Sequence, residues 1–183
     1  NYIKTIRTIF EQLNIHIENL VPTPLSSALS ILKNDEKELG SISIDLGAGS
    51  TSISIFENNK LIYLDAISVG GQHITKDIAR GLSTTIESAE RLKTLYGSVI
   101  TNPSDDYELI DVHVLGMDNN QFNQINRSQL NAIIKPRVEE TLEILRQKLK
   151  EHYLDKKSIK NLVLTGGGSL LEGIDEYAQI IFD

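Results

Sequence analysis

A change in the spacing of apolar residues near residue 41 constrains the fold of this chain more than any other feature. Upstream of it apolar residues recur at helical spacing, and downstream of it they alternate with small or polar residues, a period that predicts strands. The alternating positions are Ile42, Ile44, Leu46, Ile53 and Ile55. Between the two alternating stretches, residues 47–50 have the sequence Gly-Ala-Gly-Ser, which is typical of a tight hairpin turn. The sequence therefore predicts a β-hairpin surrounded by helices.

The remaining pattern mixes helices and strands along the whole chain. It predicts helices over residues 2–13 (with one buried face), 25–33, 72–82, 84–96 and 169–182, and a long amphipathic helix that Ser128 caps. It predicts an extended segment over residues 15–21, strands over residues 61–69, 107–114 and 162–164, a charged loop over residues 34–40 and a polar loop after residue 114. We expect Ser83 or Thr84 to cap the helix 84–96, and Pro136 to start a turn or kink the long helix. This mixture indicates the α/β class, with α+β as the alternative.

Composition and charge exclude several classes of function. The 183 residues carry 18 Lys and Arg against 25 Asp and Glu, a net charge of −7, which argues against general binding to nucleic acid or acidic lipid. The chain has no cysteine, which excludes disulfides, thiolate zinc sites and cysteine nucleophiles. No apolar run approaches the ~20 residues that a membrane span needs. These features predict a cytosolic protein.

Both ends of the chain fall within helical patterns. Asn1 precedes an amphipathic stretch, and residues 179–183 have the pattern of a helix that lacks a cap. We therefore expect the chain to be part of a longer protein.

The hairpin turn, which we call the first glycine turn (residues 47–50), is a candidate anion-binding site. The segment around it is Asp45-Leu46-Gly47-Ala48-Gly49-Ser50-Thr51. A turn without bulky side chains lets backbone N–H groups approach an anion closely, and Ser50 and Thr51 add hydroxyl donors. The side chain of Asp45 points away from the face of its apolar neighbours, where it could hold Mg²⁺ through water. The alternative is an ordinary hairpin whose turn needs glycine for positive φ.

A second run of glycines follows the predicted strand 162–164. This second glycine turn (residues 166–170) is Gly166-Gly167-Gly168-Ser169-Leu170, and the pattern predicts a helix that opens at Ser169. Glycines let a flat ligand lie against the backbone, and a helix N-terminus favours a nearby negative charge. A strand-to-helix turn that simply needs glycine is the alternative. The run matches neither the Rossmann fingerprint nor the P-loop.

Glu90 and Lys93 lie three residues apart on one face of the predicted helix 84–96. This spacing lets them reach a ribose together or pair with each other. The sequence alone leaves both interpretations open, and it gives His73 and His113 no function.

Two glycine-rich backbone sites in this order, with a helical insertion between them, resemble the actin/DnaK/sugar-kinase superfamily. Residues 45–51 are similar to its second phosphate motif, and residues 162–168 to its adenosine motif. Within the superfamily the chain resembles the FtsA family of bacterial cell-division proteins. The segments that carry this closer resemblance are residues 35–40, 69–79, 88–93 and 164–173.

The resemblance implies an actin-like (ribonuclease H-like) ATPase fold, of which this chain would be the carboxyl-terminal half. Residues 1–70 and 160–183 would form the larger subdomain, and residues 71–159 a smaller α+β subdomain inserted in it. The first phosphate motif, the domain for filament contacts and a membrane-binding helix would lie outside this chain. We therefore expect the chain alone to bind ATP weakly and to hydrolyse it negligibly.

The resemblance also implies roles for the candidate site residues. Residues 45–51 would hold the β- and γ-phosphates of ATP, with Asp45 acting on Mg²⁺ through water. Residues 166–170 would lie behind the adenine, and Glu90 and Lys93 would hold the ribose. Ala48 stands where many relatives have glycine, and its methyl group should still permit the approach of phosphate.

The function that the resemblance implies is an ATP-binding protein, at most a weak ATPase, that polymerises and links FtsZ to the inner membrane at the division site. The alternatives are half of a sugar- or acetate-kinase-type phosphotransferase, and a rod-shape or pilus-assembly actin relative. A kinase would need a carboxylate base and a sugar pocket. No sugar-binding group of residues is evident in this sequence, so the half of the protein outside this chain would have to carry it.

Family members bind the FtsZ tail on the smaller subdomain, and charge suggests a candidate anchor. Residues 135–160 carry eight basic and five acidic side chains, a local charge of +3 in a chain whose total is −7. A cationic helix face could accept an acidic peptide, and we predict Arg137, next to Pro136, as the anchor. A solvated helix face is the alternative.

Overall fold

The computed structural model describes residues 2–115, 122–152 and 161–182. The helices are α1 (Tyr2–Gln12), α2 (Thr23–Ile31), α3 (Asn34–Leu39), α4 (Gly71–Gly81), α5 (Ile86–Tyr96), α6 (Arg127–His152) and α7 (Ile174–Phe182). The strands are β1 (Ser41–Leu46), β2 (Thr51–Glu57), β3 (Lys60–Ile67), β4 (Leu109–His113), β5 (Phe122–Asn126) and β6 (Asn161–Thr165). Short 3₁₀ helices cover Pro103–Asp106 and Gly167–Leu170.

The main sheet has the strand order β3-β2-β1-β6. Strands β1 and β2 are antiparallel with Leu46 opposite Thr51, so residues 47–50 form the turn and the predicted hairpin is confirmed. Strand β6 runs parallel to β1, with Asp45 opposite Thr165. Because parallel strands end at the same edge of a sheet, the two glycine turns leave the sheet side by side.

Helices cover both faces of this sheet. The larger hydrophobic core contains Ile44, Ile53 and Ile55, all fully buried, together with apolar residues of α4, α6 and α7. A smaller core on the other face contains Ala28 of α2 and Phe56 of β2. Burial of each of these isoleucine side chains stabilises the fold by roughly 1.5–3 kcal/mol. The predicted α/β class is confirmed.

The second sheet is a hairpin of β4 and β5. Strand β4 confirms the strand predicted over residues 107–114, but β5 occupies part of the predicted polar loop. Ladder hydrogen bonds to β4 and the burial of Ile125 outweigh the low strand propensity of Asn and Gln. Residues 116–121 of that predicted loop lie outside the described residues.

The loop predicted over residues 34–40 is wrong, because α3 fills it. The backbone N–H of Lys33 donates to the Glu36 carboxylate at 2.7 Å, which satisfies one of the free donors at the start of a helix. Gly40 ends the helix with φ +97°, a conformation that glycine adopts readily. The capping pair lies within a run of charged residues that otherwise resembles a solvated loop.

Two predicted caps also need correction. The Thr85 hydroxyl caps α5 by accepting from the Ser88 N–H at 3.1 Å, whereas Ser83 has φ +50° and the Thr84 hydroxyl donates to the His113 carbonyl. Helix α6 begins at Arg127 instead of being capped by Ser128. It continues through Pro136, so no turn begins there.

The amino-terminal segment differs from its prediction in burial. The helix predicted over residues 2–13 is confirmed as α1, but none of its residues is buried, and Ile9 is 50% exposed. Residues 15–21 carry no strand. The amphipathic pattern therefore gives the helix correctly and its burial wrongly.

The larger core includes residues from both predicted subdomains. Leu142 and Leu145 of α6 belong to the same cluster as Ile44 of β1. The division into residues 1–70 plus 160–183 and residues 71–159 stays a prediction. Within the part of the chain that the structure describes, no helix combines the length and the apolar character needed to cross a membrane.

Arg127, at the start of α6, joins three separate segments of the chain. Its Nε donates to the Tyr96 carbonyl at 2.9 Å, and its guanidinium pairs with Glu172 and, at 3.7 Å, with Asp105. Asp105 is only 1% exposed, and it also accepts a hydrogen bond from Asn131 at 3.2 Å. Arg127 is thus the cation that balances a buried carboxylate.

We expect Arg127→Met to lower the free energy of unfolding by about 3 kcal/mol, because it leaves the buried Asp105 carboxylate without a cation. Urea denaturation measures the effect. Arg80→Met is the matched control, since Arg80 is exposed on α4 and its loss should change the free energy of unfolding by less than about 0.5 kcal/mol. Equal losses in the two variants would contradict the role of Arg127.

A second ion pair joins β3 to α6 and predicts a pH dependence. Lys148 donates to the Asp65 carboxylate at 2.7 Å, and this hydrogen bond holds the pKa of Asp65 below its ordinary value. A lowered native pKa stabilises the fold above the unfolded-state pKa of about 3.9 and stops doing so as the pH falls through the native value. We therefore expect Asp65→Asn to cost roughly 0.5–1 kcal/mol at pH 7, and this cost to shrink below about pH 4.

Urea denaturation between pH 7 and pH 3 checks this expectation. Asp111→Asn is the control, because Asp111 is exposed on β4 and accepts a hydrogen bond from the neutral Gln124 amide. A cost of Asp65→Asn that stays constant down to pH 3 would show that the ion pair does not contribute.

Candidate functional site

The first glycine turn is fastened to the start of α4 through its carbonyl groups. The N–H of Gly71 donates to the Gly47 carbonyl at 2.9 Å, and the N–H of Gln72 donates to the Ala48 carbonyl at 2.8 Å. Ala48 and the two residues after it in the turn are exposed. The outer side of the turn therefore faces solvent while its inner side is held by α4.

Gly70 packs directly against this turn, although no function is assigned to it from the sequence. A Cβ at residue 70 would lie 2.5 Å from the Gly47 carbonyl oxygen, 2.8 Å from that of Ala48 and 2.9 Å from the Ser50 nitrogen. No side chain fits at such distances, so the turn itself requires glycine here. The adjacent pair Gly70-Gly71 after β3 was the available sequence signal.

Asp45 and Thr51, at the two ends of the hairpin segment, are both engaged by other residues. Ser27 of α2, which the sequence analysis did not single out, donates to Asp45 Oδ2 at 2.6 Å. Asp45 is half-buried on the side of the sheet that α2 covers. Thr51 is fully buried, and its hydroxyl donates to the Val69 carbonyl at 2.8 Å. This leaves Ser50 as the exposed hydroxyl of the turn.

The second glycine turn is a 3₁₀ helix, and the prediction of an α-helix that opens at Ser169 is wrong. Gly166 has φ +82°, the Ser169 hydroxyl donates to its carbonyl at 2.7 Å, and α7 begins only at Ile174. Gly173, with φ +76°, separates the turn from α7. The predicted attraction of a helix N-terminus for negative charge therefore has no basis here.

The second glycine turn packs against the end of β1, immediately before the first glycine turn. A Cβ at Gly166 would lie 2.7 Å from the Leu46 carbonyl oxygen and would collide with the Asp45 carboxylate, and one at Gly168 would lie 2.8 Å from Leu46 Cβ. A small cavity of about 30 Å³ lies at this junction, lined by Leu46, Gly70, Gly168 and residues of α6. The structure therefore brings the predicted phosphate and adenosine motifs together at one edge of the sheet.

Glu90 and Lys93 pair with each other, and the pair reaches the start of α4. The Lys93 ammonium lies 2.7 Å from the Glu90 carboxylate, 2.9 Å from the Thr75 hydroxyl and 3.3 Å from the Gly71 carbonyl oxygen. Glu90 is 51% exposed and Lys93 15%. Partial desolvation by itself would raise the pKa of Glu90, but hydrogen bonds from Lys93 and Thr75 outweigh it and lower the pKa. Glu90 is therefore held as an anion by Lys93 and by Thr75 of α4.

Gly49 and Gly167 differ from the other glycines of the two turns. A Cβ at either position would meet no protein atom within 4 Å, and neither residue has a positive φ. Gly167 is exposed, and the neighbouring Leu170 is 87% exposed. Packing and backbone conformation therefore explain Gly70, Gly166 and Gly168 but leave Gly49 and Gly167 unexplained.

Arg137 lies on the side of α6 that faces α4, apart from the two glycine turns. Its Nε donates to the Asp77 carboxylate at 2.6 Å, and a second nitrogen pairs with Glu140. The hydrogen bond to Asp77 raises the pKa of the Arg137 guanidinium. Of the charges counted with it, Asp155, Lys156, Lys157 and Lys160 lie outside the described residues.

A larger cavity, of about 440 Å³, is bordered by α4, α6 and the hairpin of β4 and β5. Gly81, Ser83, Val112, Ile125 and Ile133 contribute to its lining. None of the predicted site residues lines it. Ile133 and Arg137 are four residues apart on α6 and therefore share a helix face.

Comparison with known proteins identifies the family. The family model described as "Cell division protein FtsA" matches residues 42–183. "Cell division protein FtsA" of Agrobacterium fabrum is 41% identical over 180 residues, which covers 98% of this chain and 41% of the relative. The protein of the same name from Bacillus subtilis is 37% identical over 169 residues, covering 92% of this chain and 38% of the relative. The chain thus spans about two fifths of the length of these relatives.

Solved structures show the same architecture at low identity. MreB 5 of Spiroplasma citri bound to AMPPNP superposes with a TM-score of 0.75 at 17% identity, covering 98% of this chain and 56% of that chain. The PilM-PilN type IV pilus biogenesis complex matches with a TM-score of 0.59 at 21% identity, covering 87% of this chain and 37% of that chain. These likenesses confirm the predicted actin-like fold. Together with the family match, they show that the chain belongs to the FtsA family of bacterial cell-division proteins.

Proposed function

We propose that this chain supplies the carboxyl-terminal side of an ATP-binding cleft to an FtsA-type protein that polymerises and links FtsZ to the inner membrane at the division site. The cleft lies at the edge of the sheet where the two glycine turns meet. The observation that carries the proposal is the open space at Gly49 and Gly167, two glycines that the protein's own packing does not require. A ligand that lies against the backbone at both turns is a physical reason for glycine at these positions.

In this proposal the first glycine turn binds the β- and γ-phosphates of ATP through backbone N–H groups of residues 47–50 and the Ser50 hydroxyl. The buried Thr51 supports the turn by donating to the Val69 carbonyl. Asp45 acts on Mg²⁺ through water. No group of three or more His, Cys, Asp or Glu side chains within the described ranges could hold a metal by itself. A single carboxylate fits Mg²⁺, which commonly keeps several waters and binds through few carboxylates and the substrate phosphates.

The second glycine turn and α5 hold the nucleoside. The exposed backbone at Gly167 and the exposed Leu170 side chain offer a flat apolar surface of the kind that an adenine ring contacts. Glu90 accepts hydrogen bonds from the ribose hydroxyls through the carboxylate oxygen that Lys93 and Thr75 do not use. A half-exposed, ionised carboxylate is suited to that task.

We expect Gly167→Ala and Gly49→Ala to weaken ATP binding at least about tenfold, or about 1.4 kcal/mol, because each methyl group occupies space that the ligand needs. The melting temperature should not fall, since neither Cβ meets a protein atom within 4 Å and alanine restricts the unfolded chain more than glycine does. Isothermal titration calorimetry with Mg-ATP on the full-length protein measures the affinity, and differential scanning calorimetry the stability.

Gly168→Ala is the matched control within the same turn. Its Cβ would lie 2.8 Å from Leu46 Cβ, so this variant should lose melting temperature, whereas Gly167→Ala should not. ATP affinities of Gly49→Ala and Gly167→Ala that both stay within twofold of the natural protein would remove the main support for the cleft.

The FtsZ tail is the second ligand of the proposal, with Arg137 as its anchor. The larger cavity has both apolar and polar lining residues, which suits a short peptide segment. Its lining residue Ile133 is one helical turn before Arg137 on α6, so an acidic residue of the same peptide would extend toward Arg137. Asp77 and Glu140 engage two nitrogens of the guanidinium. A guanidinium has five N–H donors, so Arg137 retains donors for an acidic group of the peptide.

We expect Arg137→Ala to weaken binding of an FtsZ tail peptide by about tenfold, the scale of one charged hydrogen bond. Fluorescence anisotropy with a labelled peptide measures the change. Arg91→Ala removes the same charge from the exposed side of α5 and should leave the affinity unchanged. Unaltered peptide binding by folded Arg137→Ala would eliminate Arg137 as the anchor.

A further inference from the structure

Ser27 differs from the neighbouring serines of α2 in the direction of its hydroxyl. The Ser26 and Ser30 hydroxyls donate to carbonyls of their own helix, those of Thr23 at 3.1 Å and Ser27 at 2.7 Å, as serine hydroxyls in helices commonly do. The Ser27 hydroxyl instead donates to Oδ2 of Asp45 on β1 at 2.6 Å. This length is typical of a hydrogen bond between a hydroxyl and a carboxylate anion.

Helix α2 holds Ser27 at a defined place on the sheet. Ala28, the next residue, is fully buried and belongs to the smaller core together with Phe56 of β2. Ser54 of β2 is 1% exposed and donates to the Pro24 carbonyl at 3.0 Å. Because these contacts lie before and after Ser27 along the helix, packing of α2 fixes the position from which the Ser27 hydroxyl reaches β1.

The other oxygen of the Asp45 carboxylate faces the second glycine turn. A Cβ at Gly166 would collide with Asp45 Oδ1, so the carboxylate lies between α2 on one side and Gly166 on the other. A carboxylate has about four acceptor sites, and the Ser27 hydroxyl uses one of them. Since Asp45 is half-buried, its other acceptor sites remain available to water.

We propose that Ser27 is a positioning residue for Asp45: its hydroxyl holds the carboxylate in the orientation from which Asp45 acts on Mg²⁺ through water. This inference rests on the proposed function, because it concerns how the same cleft accepts the metal of Mg-ATP. Hydrogen-bond partners of a metal-binding carboxylate raise metal affinity by fixing the orientation of its oxygens. Ser27 acts through Asp45 and contacts neither the metal nor the nucleotide.

The dependence of ATP affinity on magnesium measures this role. We define the magnesium ratio as the dissociation constant of ATP in EDTA divided by that in excess Mg²⁺, both measured by isothermal titration calorimetry on the full-length protein. We expect Ser27→Ala to lower this ratio about tenfold, the lower end of the effect of such partners on metal affinity, or to 1 where the natural ratio is smaller. The affinity in EDTA should change by less than about threefold, an allowance of 0.65 kcal/mol.

Ser26→Ala is the matched control on the same helix. Ser26 is exposed, and its hydroxyl donates to the carbonyls of residues 22 and 23, so its loss should leave the magnesium ratio unchanged. Because alanine favours helices more than serine does, α2 should remain folded in both variants.

A double-mutant cycle tests whether Ser27 acts through Asp45. Asp45→Asn removes the anionic carboxylate and should lower the magnesium ratio by itself. Addition of Ser27→Ala to Asp45→Asn should then have no further effect, since no carboxylate is left to position.

A magnesium ratio that stays within about twofold of the natural value in Ser27→Ala would overturn the inference. An equal fall in Ser26→Ala would assign the effect to α2 as a whole, and a further fall in the double variant would show that Ser27 acts independently of Asp45; either result would also overturn it. A natural full-length protein that binds no ATP would overturn the proposed function and this inference with it. ATP binding with a natural magnesium ratio of 1 would overturn the inference while leaving the nucleotide cleft in place.

Discussion

The parallel pairing of β1 with β6 is the interaction on which the candidate site depends. The two strands are far apart in the chain, yet their register places Asp45 beside Thr165, so each glycine turn begins at the same edge of the sheet. The N–H groups of Gly71 and Gln72, at the start of α4, donate hydrogen bonds to carbonyls of the first glycine turn. Without this pairing the two glycine turns would not lie side by side, and Gly49 and Gly167 would be on separate parts of the surface.

Glycines in the two turns serve different physical purposes. Gly70 and Gly168 allow backbones to approach more closely than any side chain permits, and Gly166 supplies a positive φ. These residues shape the protein whether or not a ligand binds. Gly49 and Gly167 have neither function in the described structure. The glycines at these two positions are therefore the ones that argue for a bound ligand. The sequence alone offers no way to separate the two groups, because the distinction depends on what lies across the turn.

Features that arise from local sequence were predictable, and features that arise from contacts between distant segments were not. The hairpin of β1 and β2 follows from a period of two around a glycine turn, and the Glu90–Lys93 pair follows from helical spacing. Strand β5 forms on a polar segment because β4 lies beside it, and Ser27 reaches Asp45 only after α2 packs on the sheet. Helical spacing predicts the contact between Glu90 and Lys93. It does not predict the contact between Lys93 and the Gly71 carbonyl, because Gly71 is brought there by the fold.

Both apolar packing and ion pairs hold helix α6 against the rest of the fold. Leu142 and Leu145 are fully buried in the larger core, and burial of this kind supplies most of the stabilisation. The cations of α6 join the helix to its neighbours: Arg127 pairs with Asp105 and Glu172, and Arg137 pairs with Asp77. Because Glu172 follows the second glycine turn and Asp77 lies on α4, a displacement of α6 must strain contacts on both sides of the candidate cleft. Helix α6 therefore has ion pairs to the segment after the second glycine turn and to α4, whose start holds the first.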